Sequence, residues 1–415
     1  MTGPDDAARA TAETVARQSY GKLVAFLASR TRDLAGAEDA MSEAFAAAIV
    51  DWSARGVPAN PEAWLTTVAR RKWLDGARKR RSGHAAADQL RLLAEELAPA
   101  AAGTAEIPDR RLALMFACAH PALDPAAHAP LILQTVLGFD AATVASAFLV
   151  APATMSQRLV RAKGKIRDAG IPFRIPEHDD LAARLDGVLA AIYAAFAEGW
   201  TDPAGADIRR RDLALEAIWL GRLVAALLPD APEALGLLAL MLHAEARRAA
   251  RRDSAGNYVP LAEQDTRRWD AAMIAEAEDL LRRASAAGAS GRYQLEAALQ
   301  SAHAIRRVTG RSDWLAILGL YDLLLAQTGS PVVAINRAIA LAETAGPEAG
   351  LAALDSIGDN PALVEYQPYW AARAGLLSRC GDGEAADRAY ELAIGLEADP
   401  AVRRFLQQKR AAPRH

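Results

Sequence analysis

Residues 153–165 read Ala153-Thr-Met-Ser-Gln-Arg-Leu-Val-Arg-Ala-Lys-Gly-Lys165. Met155, Leu159, Ala162 and Ile166 recur at the three- and four-residue spacing of a helix and predict a buried stripe. Thr154, Arg158, Arg161 and Lys165 recur at the same spacing on another face. Pro152 falls in the first turn, where its missing N–H costs no hydrogen bond. Ahead of it, Ala141 to Phe148 is a short apolar-patterned segment, joined to the second helix through Leu149-Val-Ala-Pro152. A short support helix followed by one with a packed side and a cationic side is a helix-turn-helix, which suits a DNA major groove. The candidate DNA contacts are Thr154, Ser156, Gln157, Arg158, Arg161 and Lys165. A charged, solvated helix face is the competing explanation, and only the rest of the chain decides between them.

The chain has 415 residues, enough for two or three domains with a sizeable core. Sustained period-two alternation is absent, alanine is frequent and aromatics are few, so the expected fold class is all-α. The net charge of -3 implies no partner, but its distribution does. Arg70 to Arg81 holds seven basic residues and one acid, and Arg158 to Arg167 holds five basic residues and no acid, which is what a nucleic acid would meet locally. Cys118 and Cys380 are too few and too far apart for a disulfide framework and fit a reducing cytoplasm. With no signal-like start and no apolar run of spanning length, a soluble, cytoplasmic protein with no membrane contact is expected.

Upstream, residues 1–10 are expected to fray, and a helix follows from Thr11 to about Arg32, burying Val15, Leu23, Val24, Phe26 and Leu27. A second begins near Ala37 with Met41, Phe45, Ala48, Ile49 and Trp52 on one stripe, and Glu38, Asp39 and Glu43 off it as an acidic exposed surface. Asn60-Pro61-Glu62 reads as a cap, a first-position proline and an acidic first turn. The helix that follows takes Trp64, Leu65, Val68 and Ala69 inward and then turns basic through Arg70, Arg71, Lys72, Arg78, Lys79, Arg80 and Arg81. Trp64 reads as core, whereas Trp73, set among cations, is open between core packing and base stacking.

Ala37-Glu-Asp-Ala-Met-Ser-Glu-Ala-Phe45, Pro61-Glu-Ala-Trp-Leu65 and Ala69-Arg-Arg-Lys-Trp-Leu-Asp-Gly-Ala-Arg78 resemble region two of bacterial sigma factors, most closely the extracytoplasmic-function group. The resemblance implies that Asp39 and Glu43, with Glu38, dock on core RNA polymerase. It also implies that Asn60 and the basic run Arg70, Arg71, Lys72, Arg78, Lys79, Arg80 and Arg81 engage the minus-ten element, including its melted strand. Arg71 stands where that family usually has asparagine, a change that keeps a hydrogen-bonding side chain and adds charge.

An alanine-rich segment with Gly83, Pro99 and Gly103 reads as a linker over 85–106. From Ile107 helical patterning resumes, Asp124-Pro125 is a second cap-plus-proline start, and Gly138 ends that helix before the helix-turn-helix. Gly138 to Arg167 resembles sigma region four, which reads the minus-thirty-five element on duplex promoter DNA, with Thr143 in place of a common glutamate. Cys118, His120 and His128 lack the spacing of a four-ligand zinc site, so no metal and no cofactor are expected.

The expected organisation is 1–84 as region two, 85–106 as linker, 107–176 as region four and 177–415 as a further helical domain. In that last part Trp370, Ala374, Leu377, Gly381, Ala386, Tyr390 and Ala393 fall at the spacings of a tetratricopeptide repeat, and Pro331 to Ile357 resembles a degenerate copy. A subgroup of extracytoplasmic-function sigma factors resembles the chain along its whole length, with Ala195-Phe-Ala-Glu-Gly-Trp200, Glu263-Gln-Asp-Thr-Arg-Arg-Trp269 and Ser330-Pro-Val-Val-Ala-Ile-Asn-Arg-Ala338 as matching segments. That resemblance implies a regulatory extension, and stacked helix pairs offer a concave face to a protein or peptide ligand. Asp265, Arg268, Asn336 and Arg337 are either groove-lining groups or ordinary caps and salt bridges.

Neither a phosphate-binding glycine loop, nor Gly-x-Ser-x-Gly, nor a metal-type cluster is present, so a non-enzymatic role is expected. The sequence therefore points to a promoter-specificity subunit of RNA polymerase. The alternatives are a conventional helix-turn-helix regulator acting without polymerase and a helical-repeat scaffold whose basic patches are incidental.

Overall fold

The computed structural model describes residues 4–80, 109–148, 150–200, 208–288 and 290–412. Among them every extended element is a helix, and the only strand-like pairing is an isolated antiparallel bridge between Arg252 and Tyr258. The chain divides into two compact units, Met1–Ala195 and Phe196–His415. The expected linker, 85–106, lies outside the described residues.

The first unit begins with α1 (Pro4–Thr31), α2 (Leu34–Arg55) and α3 (Pro61–Arg80), which pack on one another. Helix α1 already runs from Pro4, so the fraying expected for residues 1–10 is not seen beyond that point. Asp33 caps α2 by accepting from the Gly36 amide at 3.0 Å, which starts that helix a turn earlier than the apolar pattern indicated. Asn60 caps α3 in the same way, accepting from Ala63 N at 3.0 Å ahead of Pro61. Leu23, Val24, Phe26, Leu27, Met41, Ala48, Trp52 and Leu65 form the buried centre. Ile49 departs from the expected stripe and is 45% exposed. Residues 41, 45, 48 and 52 follow one helical line, whereas position 49 is rotated off it.

Four shorter helices complete the unit with the start of a fifth: α4 (Arg111–Cys118), α5 (Pro125–Leu137), α6 (Ala141–Ala147), α7 (Pro152–Asp168) and α8 (His178–Trp200). Asp124 caps α5 through Ala126 N at 2.9 Å, and Gly138, at φ 72, ends it in the left-handed conformation that glycine adopts without strain. Helix α1 packs on α4 and α5, and α2 packs on α7. The α1–α5 approach is close: a Cβ on Gly21 would fall 1.8 Å from the Val136 carbonyl oxygen. Gly187 on α8 likewise leaves room for His128 of α5, and the buried Arg184 on α8 donates to the Phe116 carbonyl at 3.3 Å.

The second unit contains α9 (Ile208–Leu227), α10 (Pro232–Ala246), α11 (Ala271–Ser285), α12 (Arg292–Ala304), the short α13 (Arg306–Thr309), α14 (Trp314–Thr328), α15 (Pro331–Ala345), α16 (Pro347–Asp355), α17 (Gln367–Arg379), α18 (Gly383–Leu396) and α19 (Pro400–Ala411). Helix α10 is its apolar hub, buried on all sides between α9, α11 and α12. From α14 onward each helix packs on the next, with a core that passes from Ile317 and Leu324 through Ile335, Ala338 and Leu354 to Ala386 and Ala393. Ala374, Leu377, Ala386, Tyr390 and Ala393, picked out by their repeat spacing, share one buried cluster, and Trp370 packs against it.

Between α10 and α11 lies an irregular segment of three short 3₁₀ turns and the Arg252–Tyr258 bridge. Asp253 organises its tip, accepting from the Ala255 and Asn257 amides at 2.8 Å each. Trp269 closes the segment, buried against Ala250 and Ala304.

Candidate nucleic-acid interface

Helix α7 buries Met155, Leu159, Ala162 and Ile166, the stripe that the spacing predicts. Pro152 is at its start, and α6 packs against it. The opposite face carries Thr154, Ser156, Gln157, Arg161 and Lys165, all exposed. Arg158 is half-buried, with Nη1 donating to the Ala126 carbonyl at 3.3 Å. That bond steers its guanidinium toward the start of α5. Thr143, in the preceding α6, donates its hydroxyl to Asp140 Oδ2 at 2.9 Å and its backbone N–H to Asp140 Oδ1 at 2.8 Å. Its side chain is therefore engaged in capping α6. These hydrogen bonds from Thr143 and from the Ala142 amide hold the Asp140 carboxyl below the usual carboxylate range.

The basic run of α3 is placed in part. Arg71 and Lys72 are exposed, Arg70 is half-buried, and Lys72 Nζ reaches Glu43 Oε2 at 3.2 Å. One expected polymerase contact and one expected minus-ten contact thus pair with each other. Arg78, Lys79 and Arg80 close α3, but their side chains lie outside the described residues, as does the whole of Arg81. Asn60, exposed, spends its side-chain oxygen on the α3 cap. Trp73 is not a stacking platform: it is 6% exposed and its indole N–H meets Asp33 Oδ2 at 3.3 Å. Trp64 packs edge-on against Trp52 with ring centroids 5.5 Å apart.

On α2, Asp39 and Glu43 face solvent, whereas Glu38 turns inward and meets Lys163 of α7 at 2.7 Å. Burial raises the Glu38 carboxyl above its ordinary value, and Lys163 draws it back down. Lys163 is an inter-helix contact that the sequence pattern concealed. Its number sits between Arg161 and Lys165, but it lies beside the buried Ala162 on the flank of the helix that meets α2. The cue available in the sequence was a lysine adjoining the apolar stripe rather than opposite it.

Cys118 is buried with its sulfur 3.6 Å from Thr135 Oγ1, and burial pushes the thiol up to about 12. His120 Nδ1 accepts from the Ala122 amide at 3.1 Å. Among the described residues no three His, Cys, Asp or Glu side chains are grouped as metal ligands, and no helix is long and apolar enough to cross a membrane.

Comparison with known proteins fits this geometry to a family. Residues 15–83, covering most of α1, α2 and α3, match the model of sigma-70 region 2. An uncharacterized protein of Rhizobium meliloti (strain 1021) is 37% identical over 398 residues, which is 94% of this chain and 92% of that protein. The chain belongs to the same family as that protein. Residues 184–285 match a family of unknown function (DUF6596), so the sigma-type segment and a second conserved module lie on one chain. No solved structure matches it. The region-2 match supports membership of the sigma-70 family and a sigma-factor role in RNA polymerase-directed transcription, a family of non-enzymatic factors that partner core polymerase and promoter DNA.

Proposed function

We propose that the protein is a sigma factor of the extracytoplasmic-function type that binds core RNA polymerase, selects promoters through two DNA-reading parts and is modulated by its C-terminal helices. The observation that carries this is the pairing of a region-2 segment with a two-helix element whose exposed face bears Thr154, Ser156, Gln157, Arg161 and Lys165 over a buried stripe. On this reading 1–84 docks on polymerase through Asp39 and Glu43 and holds the minus-ten element with the α3 basic run. Residues 107–176 read the minus-thirty-five duplex with α7. Glu38 joins the docking surface only when its bond to Lys163 opens.

Residues 177–415 are the modulating part, with the helix pair α17–α18 as the best candidate for a tetratricopeptide-like unit that takes a protein or peptide ligand. Of the polar groups considered for a groove, Asp265 caps a 3₁₀ turn and pairs with Arg267, Arg268 donates to the Arg252 carbonyl, Asn336 donates to the Val332 carbonyl, and Arg337 pairs with Asp322. These are local bonds and favour caps and ion pairs over a ligand groove at those positions.

The test is in-vitro transcription with core polymerase on a promoter library, comparing the full chain with a version ending at Trp200, which keeps the α8 residues that pack in the first unit. Promoter-specific transcripts that start only when the protein is added are expected, with an output that changes on truncation. Tight, specific operator binding by the isolated chain, without polymerase-dependent transcription, would instead establish a conventional regulator.

A further inference from the structure

The end of α10 and the turn after it carry four arginines in six residues: Arg247, Arg248, Arg251 and Arg252. Two have carboxylate partners. Arg248 Nε lies 2.8 Å from each oxygen of Glu245, and Arg252 pairs with Asp399. Arg247 and Arg251 donate only to neutral acceptors among the described residues, although the Asp399 carboxylate acts on Arg251 from farther off. Arg247 donates to Gln300 Oε1 at 2.5 Å and to the His243 carbonyl at 3.4 Å. Arg251 donates to the Trp200 carbonyl at 2.9 Å, its guanidinium carbon 4.5 Å from the centre of the Trp200 ring.

A third guanidinium joins them from α13. Arg306 donates to the carbonyls of Ala262, Leu261 and Gln264 at 2.7, 2.8 and 3.1 Å and lies 5.3 Å from the Trp269 ring centre, again with no carboxylate among the described residues. Arg247 feels the other two: burial first, then Arg251 and Arg306, bring it down to about 10. His303 is brought to about 4 by burial and by Arg247 and Arg306, so it adds no negative charge and stays neutral. Nearby buried polar atoms also lack partners, namely Oε1 of Gln264 and Nε1 of Trp269. Trp200, Arg247, Arg251, Tyr258 and Arg306 are all half-buried, so solvent reaches the cluster.

Buried charges in folded proteins are paired, and a guanidinium fork matches a carboxylate or phosphate in shape as well as sign. Three guanidinium groups whose hydrogen bonds go only to carbonyls and an amide keep most of their charge available to such an anion. We infer that Arg247, Arg251 and Arg306 form a binding site for a small organic anion, whose carboxylate or phosphate supplies the missing charge beside Trp200 and Tyr258. This site lies in the extension and does not depend on how the sigma-type segment acts.

The experiment is thermal unfolding of the full chain, titrated separately with inorganic phosphate and with succinate, against sodium chloride at matched ionic strength. A saturable rise in midpoint with at least one anion, absent in chloride, is expected, and the more effective anion identifies the group recognised. Arg247→Met and Arg251→Met should each raise the half-saturating concentration tenfold or more, while the exposed Arg283→Met leaves it unchanged. Without anion, Arg247→Met should unfold no lower than the natural chain, because it removes an unpaired charge. Arg251→Lys, which keeps the charge but loses the flat stack on Trp200, provides a milder variant and should bind at least threefold more weakly. The inference fails if neither anion outperforms chloride, or if Arg247→Met and Arg251→Lys respond as the natural chain does.

Discussion

Lys163 Nζ stands 2.7 Å from Glu38 Oε2, with the two side chains 16% and 12% exposed. The bond joins α7, whose outer face is the candidate duplex reader, to α2, whose outer face is the candidate polymerase dock. Both ends of the pair are largely withdrawn from water, so each needs the other.

Lys163→Met should therefore lower stability by about 3 kcal/mol near pH 8, since it strands a buried carboxylate. The pH dependence has a definite sign. Burial already raises the Glu38 carboxyl above its unfolded value, and loss of Lys163 raises it further. A carboxyl of this kind supports the fold when protonated and costs stability as pH rises through its folded value. The deficit should shrink on acidification, and Lys163→Met combined with Glu38→Met should recover most of it. Denaturant unfolding at several pH values checks this; a deficit independent of pH would show that Glu38 is not the stranded group.

Arg158 and Arg161 should separate affinity from sequence choice. Arg158→Ala is expected to weaken transcription through the minus-thirty-five element by roughly ten- to a hundredfold, the ~1–3 kcal/mol of a base contact, with core polymerase binding intact. Arg161→Gln, if it meets phosphate, should instead reduce the salt slope of promoter binding by about one unit while keeping the order of preferred sequences. A loss of core affinity in Arg158→Ala would place polymerase rather than DNA on this face.

Gly21→Ala probes the α1–α5 contact. An added methyl would fall on the Val136 carbonyl oxygen, which belongs to backbone and cannot rotate away. A loss of about 1–3 kcal/mol is expected from overpacking. Gly164→Ala is the control, since nothing lies within 4 Å of its added Cβ, and it should be neutral or slightly stabilising in mid-helix. Equal behaviour of the two variants in thermal unfolding would show that α1 and α5 do not approach closely in solution.

His243 makes an acid-side prediction. It is 1% exposed, its Nε2 lies 3.4 Å from Glu278 Oε1 without a hydrogen bond, and burial together with the nearby Arg247 holds its imidazole down to about 4. Its folded value is depressed, so the unfolded chain takes up the proton first. Stability is full above about pH 6.5 and falls toward pH 4 by an amount on the order of 3 kcal/mol, then levels off. His243→Leu should flatten that part of the curve, read as unfolding midpoints at pH 7.5 and pH 5. An unchanged slope would assign it to other groups, His303 first among them.

Much of the local architecture is legible in the sequence. Asn60-Pro61 and Asp124-Pro125 start helices where a short polar side chain can cap and proline can lead, and Gly138 ends one where φ must turn positive. The α7 stripe follows from spacing alone, because side chains three and four residues apart share a helix face whatever lies opposite. The region-2 match over 15–83 covers the acidic and basic helices that the sequence displays. Ile49 and Trp73 mark the limit of pattern: Ile49 stays exposed because no other helix covers that flank of α2, and Trp73, among cations, is buried with its indole N–H on Asp33.

The Ala153–Lys165 stretch shows where the division lies. Its helical period, its proline start and its polar face were determined by the sequence, since these are interactions within a few residues. That Lys163 leaves the cationic set to hold Glu38, that Arg158 leans on the Ala126 carbonyl, and that Arg247 and Arg251 donate to an amide and carbonyls rather than to a carboxylate were decided only by tertiary structure. Partners for a charge are chosen by which helices pack together, and a local pattern sets what each helix offers but not what it will face.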